Sequence, residues 1–286
     1  MRSLFSPIPL FFVFLWSTGF IVARYGLPYA PPLTFLLWRF LGVLAILTPI
    51  VVLVRAPWPS GKVGHVALAG LLLQAGYLSG VWCAIKLGMP AGVSALIVGM
   101  QPILTALAAP LIGERVRARQ WLGLAFGLSG VALVVYAKIT LVGLSWQAIA
   151  LAVFALLSIT VGTLYQKHFC PQFDLRTGTV IQFTASFAVV LPFALALEEM
   201  SSVQWTPQFL GAWAWSVLAL SIGAIFLLFA LIRRSDATQV TSLLYLTPPT
   251  TALMAWAMFD EVLNWQGIAG MALAVTGVIF VVKQPK

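Results

Sequence analysis

Charge is what this sequence has least of: 8% of its 286 residues are Asp, Glu, Lys or Arg and 61% are hydrophobic, whereas a soluble domain carries about 25% charged residues. That balance excludes a soluble globule. No stretch is polar enough to form a separate domain, so any activity must be built from membrane helices and short loops. Acids are scarcer than bases, seven against sixteen, and all seven fall in loops or at the ends of apolar runs. A proton relay needs an acid or histidine at membrane depth, and the two histidines, His65 and His168, fall in loops expected on the inner side. Two cysteines, Cys83 and Cys170, have neither metal-ligand nor framework spacing, so no disulfide scaffold, metal or cofactor is expected. The net charge of +9 does not mark a nucleic-acid partner, because the bases sit in short clusters between apolar runs.

Those runs divide the chain into ten expected spans of about 20 residues: 7–23, 33–54, 66–86, 91–112, 120–137, 146–166, 177–197, 209–232, 237–258 and 265–282. The first lacks a cleavage signal and is read as a retained helix. With the N-terminus inside, twelve of the sixteen cations fall in inner segments, three (Arg24, Lys86, Lys138) outside, and Arg39 within a span. This asymmetry predicts that both termini are cytoplasmic.

The chain is also duplicated. Residues 147 apart repeat an ordered series: Pro102 with Pro249, Glu114 with Glu261, Gly123 with Gly270 and Gly130 with Gly277, preceded by Gly76 with Gly223. Two units, 1–138 and 139–286, each hold five spans. An odd number inverts the second unit relative to the first, an architecture suited to alternating access. Pro102, Pro248 and Pro249 fall inside apolar runs, where a proline removes an amide donor and strands a carbonyl. Paired interrupted helices at matching places in two halves point to a midplane binding site.

The Trp38-Arg39-Phe40 run, Pro102 through Glu114 followed by Gly123 and Gly130, and Pro249 through Glu261 followed by Gly270 and Gly277 resemble the drug/metabolite transporter superfamily, in its ten-helix form built from two EamA domains. The resemblance covers essentially the whole chain. It implies an all-α integral membrane protein of two five-helix inverted repeats around a central cavity. Length and aromatic content are similar to the YddG group of bacterial amino-acid exporters. That implies a multi-pass protein of the bacterial inner membrane, with a small-molecule substrate, an amino acid or related metabolite, and the lipid bilayer as partners.

Candidate substrate-binding residues are Gln101, Pro102, Thr105, Tyr245, Thr247, Pro248 and Pro249 around the interruptions, Trp16, Tyr77 and Trp82 as cavity aromatics, and Arg39 as an intramembrane ion. Trp215 and Trp256 are further aromatic candidates. Each has a plainer reading as packing, capping or, for Arg39, snorkelling. Glu114 and Glu261 are read as helix-end anchors, and Gly123, Gly127, Gly130, Gly270 and Gly277 as close-packing positions. The oligomeric state is open, a monomer being compatible with the sequence. The expected activity is export of aromatic and other apolar or neutral amino acids without ion coupling. Alternatives are proton-coupled export of another metabolite or drug, and an intramembrane serine protease suggested by Gly127-Leu128-Ser129-Gly130. The protease reading lacks a base at membrane depth, so the chain is not expected to be an enzyme.

Overall fold

The computed structural model describes residues 7–89, 91–136, 145–259 and 264–282. Every regular element among them is helical: α1 (Pro7–Gly26), α2 (Pro32–Leu53), α3 (Val63–Gly70), α4 (Tyr77–Lys86), α5 (Ala91–Val98), α6 (Gln101–Ala108), α7 (Ala118–Tyr136), α8 (Trp146–Phe169), α9 (Leu175–Leu197), α10 (Pro207–Trp215), α11 (Ile225–Arg234), α12 (Ala237–Ser242), α13 (Thr247–Phe259) and α14 (Trp265–Val282). A π-helical segment, Leu71–Gly76, joins α3 to α4, and another, Ser216–Ala224, joins α10 to α11. A 3-10 turn, Leu243–Leu246, joins α12 to α13. Seven of the resulting runs are long and apolar enough to cross a membrane, and Pro7–Gly19 and Ala118–Val134 are shorter apolar helices.

Helix ends follow from local chemistry. Pro32 and Pro207 stand in the first turns of α2 and α10, where an amide has no intrahelical acceptor to lose. The side chains of Ser145, Asp174 and Thr206 accept from the amides of Ala148, Arg176 and Phe209, the usual N-terminal cap.

The interior prolines need correction on this point. Pro102 lies in the first turn of α6, after a break at Gly99-Met100, and Pro248 and Pro249 lie in the first turn of α13. Each begins a new helical segment instead of kinking a continuous one, so the expected loss of a ladder bond is largely avoided.

The closest helix pair is α7 with α14. A Cβ on Gly123 would stand 2.6 Å from the Gly277 carbonyl oxygen, and one on Gly270 would stand 2.7 Å from that of Gly130. Positions 147 apart thus exchange roles across the seam. Gly127 serves two neighbours, since its Cβ position also meets the Tyr245 ring at 2.2 Å. Without side chains in the way, the two backbones make direct van der Waals contact, the main source of helix association in lipid.

Gly130→Leu is expected to separate these backbones and lower the unfolding midpoint in detergent by about 5 °C or more, the scale of a serious overpacking defect. Gly211→Ala, where an added Cβ meets nothing within 4 Å, is the control and is expected to leave the midpoint unchanged or raise it slightly, since alanine favours a helix over glycine.

Candidate functional site

Two adjoining cavities lie where helical regularity breaks down. The larger, about 640 Å³, is lined by residues of α1 (Trp16, Gly19, Ala23), α2 (Arg39), the first π segment and α4 (Gln74, Tyr77, Trp82), and by Leu220 and Ile225. The second, about 420 Å³, is bounded by Ser94, Val98 and Gly99 on one side and Leu244, Thr247 and Pro248 on the other. Trp16, Tyr77 and Val81 border both. Trp16 and Tyr77 stack with centroids 6.3 Å apart and planes 11° from parallel, so an aromatic pair forms the wall between the chambers. Trp82 stacks on Phe35 at 4.7 Å, which holds its indole against the larger one.

The π segments explain part of this shape. A π turn closes i→i+5 bonds around an extra residue, and such turns are found disproportionately at functional sites. Here each one precedes a stretch whose side chains face the larger cavity: Leu78 from one half and Ile225, 147 residues later, from the other.

Arg39 is 5% exposed and lines the larger cavity. Its Nε donates to Ser221 Oγ at 2.6 Å, and among the described residues no carboxylate pairs with it. The snorkelling alternative therefore does not hold. The guanidinium stays charged, and most of its donor capacity is left for whatever fills the cavity.

The proposed binding residues divide. Trp16, Tyr77, Trp82, Arg39, Thr247 and Pro248 meet at the cavities. Gln101, Pro102, Thr105, Tyr245 and Pro249 are buried away from both linings. Gln101 donates to Thr163 Oγ1 at 3.2 Å, and Tyr245 fills the space beside Gly127. The physical reason is the helix break itself: with Pro102 and Pro249 in first turns, the residues beside them enter helix-helix contacts. Trp215 and Trp256 are 45% and 55% exposed and line neither cavity, the Trp215 indole donating to Thr18 Oγ1 at 2.9 Å. Three contributors escaped the sequence reading: Ser221; Gln74, whose amide interrupts a leucine run; and Ser94, whose hydroxyl, like that of Thr247, is buried without a partner. The Gln74 amide was a visible signal, but no local pattern marks Ser221 or Ser94.

Carboxylates hold the two ends of the bundle. Glu198 accepts from the amides of Leu33 and Thr34 at 2.9 and 2.7 Å and from the Thr34 hydroxyl at 2.8 Å, capping α2 from the end of α9. At the opposite end Glu114 accepts from the Ala237 amide with both oxygens, at 3.0 and 2.9 Å, and lies 3.8 Å from Lys167 Nζ. Burial pushes the Glu114 carboxyl above its ordinary range, against the pull of the Ala237 amide. Lys167 Nζ also donates to the carbonyls of Ile232 and Ser235. Glu261 lies outside the described residues. Ser129 is exposed on α7, and His65 pairs with Tyr165 at 2.6 Å, so neither contributes to a nucleophile–base pair.

A bundle of apolar helices around a small-solute cavity, its halves repeating at a fixed spacing, agrees with comparison to known proteins. The EamA-like transporter family matches at residues 8–136 and again at 146–283. The chain belongs to the EamA-like transporter family. EamA-like relatives include the uncharacterized inner membrane transporter YedA of Escherichia coli (strain K12), 28% identical over 91% of this chain and 86% of that one. A probable amino-acid metabolite efflux pump of Salmonella typhimurium is 27% identical over 94% of this chain and 92% of its own. A solved crystal structure superposes with a TM-score of 0.80 at 20% identity, covering 98% of this chain and 96% of that one, and so shares the fold. The EamA-like protein is accordingly a multi-pass membrane transporter, and its relatives bear transporter names.

Glu198→Ala is expected to free the first turn of α2 and cost about 1–2 kcal/mol, the value of a lost N-terminal cap. Thermal unfolding in detergent measures this; Glu199→Ala, at an exposed neighbour, is expected to change it negligibly.

Proposed function

We propose that the protein exports neutral and apolar amino acids, aromatic ones included, across a bacterial inner membrane by alternating access without ion coupling. The observation that carries this reading is Arg39: a buried guanidinium without a carboxylate partner among the described residues, beside an aromatic and aliphatic cavity. A buried cation is stable when an anion meets it, and a substrate carboxylate meets that need as a planar, bidentate acceptor. Trp16, Tyr77 and Trp82 supply apolar surface for the side chain of the amino acid. The unpartnered hydroxyls of Ser94 and Thr247 at the second chamber supply acceptors for its ammonium. The Salmonella relative named as a probable amino-acid metabolite efflux pump supports the same class.

The architecture completes the proposal. Two units, 1–138 and 139–286, each with five spans, are related by inversion, with α1, α7 and the interrupted α12–α13 run added to the seven long apolar helices. The two separate family matches, the Pro…Glu…Gly…Gly series and the reciprocal glycine contacts of α7 and α14 support it. The excess of inner-segment cations supports cytoplasmic termini, which puts the Glu114 end inside and the Glu198 end outside. The larger cavity, bordered by Ala23, Arg39 and Ile85 near the outer ends of their helices, is then an outward-facing vestibule. Among the described residues no acid lines either cavity, which favours an uncoupled cycle, with direction set by the solute gradient.

The test is flux of labelled phenylalanine, methionine, threonine, glutamate and lysine through purified protein in liposomes, with and without a pH gradient. Saturable movement of the neutral amino acids, indifferent to the pH gradient, is expected. Arg39→Gln is expected to weaken substrate affinity at least about tenfold, the scale of a charge-assisted hydrogen bond. Gradient-driven accumulation would replace the uncoupled cycle with proton coupling. No amino-acid flux from folded protein would favour another metabolite or drug.

A further inference from the structure

The Glu114 end contains a third cavity, a crevice of about 300 Å³ lined by Gln166, Lys167, Cys170, Phe173, Ile232 and Arg233. Above it runs a seam of polar side chains deep in the apolar bundle. Gln182 Nε2 donates to Gln166 Oε1 at 2.8 Å. The other amide oxygen of this pair, Gln182 Oε1, has no partner, and neither do Thr179 Oγ1, Gln101 Oε1, Thr105 Oγ1 and Thr238 Oγ1, all within buried residues. A buried polar group without a partner costs about 1–3 kcal/mol. Five on neighbouring helices are hard to explain by packing alone, and water in another conformation would satisfy them.

The repeat says what that conformation is. In the first two spans of each unit the halves match at a spacing of 143, aligning Gly19 with Gly162, Arg24 with Lys167, Phe40 with Phe183 and Pro49 with Pro192. At that spacing Ala23 and Arg39, which line the large cavity, correspond to Gln166 and Gln182, and at 147 Ile85 corresponds to Ile232. Gln166 and Ile232 of the crevice and Gln182 of the seam are thus counterparts of residues that line the larger cavity. Glu114 and Lys167 join the two halves across the mouth.

We propose that the crevice and the polar seam from Gln166 through Gln182 and Gln101 are the closed cytoplasmic entry path for solute, and that the Glu114–Ala237 and Glu114–Lys167 contacts hold it shut. When the path opens, the amides and hydroxyls exchange one another and empty contacts for water. Gln182 then presents to the incoming solute a neutral amide where the outer vestibule presents Arg39. For a solute that carries a carboxylate, binding is accordingly weaker on the cytoplasmic side. The proposal rests on the inverted-repeat reading but not on the amino-acid assignment.

Cysteine accessibility tests it without any solute. In a Cys83→Ser/Cys170→Ser background, single variants Ala23→Cys, Gln182→Cys and Val278→Cys are reacted in liposomes with a charged, membrane-impermeant maleimide presented on one side at a time. Ala23→Cys is expected to react from the outer side and Gln182→Cys slowly from the inner side. Adding Glu114→Gln is expected to speed Gln182→Cys about tenfold, a usual size for conformational coupling, and to slow Ala23→Cys, while Val278→Cys in the α7–α14 core stays unreactive. Lys167→Met, which leaves the Ala237 amide bonds in place, is the second way to loosen the mouth should Glu114→Gln expose Val278→Cys by unfolding. If Gln182→Cys is no faster in either variant, the entry path is refuted. Reaction of Gln182→Cys from the outer side alone would instead overturn the assigned orientation.

Discussion

Lipid offers no partner to an amide or carbonyl, and this constraint shapes the molecule more than any single contact does. Each apolar run must close its own hydrogen-bond ladder, so every regular element among the described residues is helical. Departures are tolerated only where protein or cavity covers the backbone. They collect accordingly: the π segments Leu71–Gly76 and Ser216–Ala224, the break at Gly99-Met100 and the 3-10 turn Leu243–Leu246 all border or adjoin the two central cavities. Away from them, α7 and α14 are uninterrupted, and their backbones pack directly through glycine.

The same scarcity of polar partners gives each charged group in the bundle a specific task. Glu198 and Glu114 cap helix N-termini in the other half of the chain, where unsatisfied amides and the helix dipole favour a carboxylate. Arg39 faces the larger cavity with donor capacity to spare. A buried cation held by one serine hydroxyl is poorly compensated, and that deficit is what a ligand carboxylate can supply.

Duplication supplies the frame, and divergence within it supplies the function. The glycine seam kept its symmetry, because any side chain larger than hydrogen on either helix meets backbone. The cavity-facing positions did not, since Arg39 has Gln182 as its counterpart and Ala23 has Gln166. A transporter that alternates between two faces needs near-equal energies for its two closures. Under the proposed alternating access, different side chains at matched places tune each face separately.

Much of this was legible from the amino acids. Apolar runs of membrane length located the helices to within a few residues, since hydropathy and helix length are local properties. The Pro…Glu…Gly…Gly series revealed the duplication, and Gly123, Gly130, Gly270 and Gly277 were recognisable as a packing face because small residues at helical spacing have few other uses. Trp16, Tyr77, Trp82 and Arg39 could be named as cavity candidates, but so could Trp215, Trp256, Gln101 and Tyr245, and nothing in sequence separates the two groups. Which face of a helix meets solvent space depends on the rotation that its neighbours impose. In an all-round apolar helix the hydrophobic pattern carries no record of that rotation. Ser221 beneath Arg39, the orphaned hydroxyls of Ser94 and Thr247 and the seam from Gln166 to Gln101 were therefore decided only in the tertiary structure, where residues far apart in the chain are brought together and some of them are left without partners.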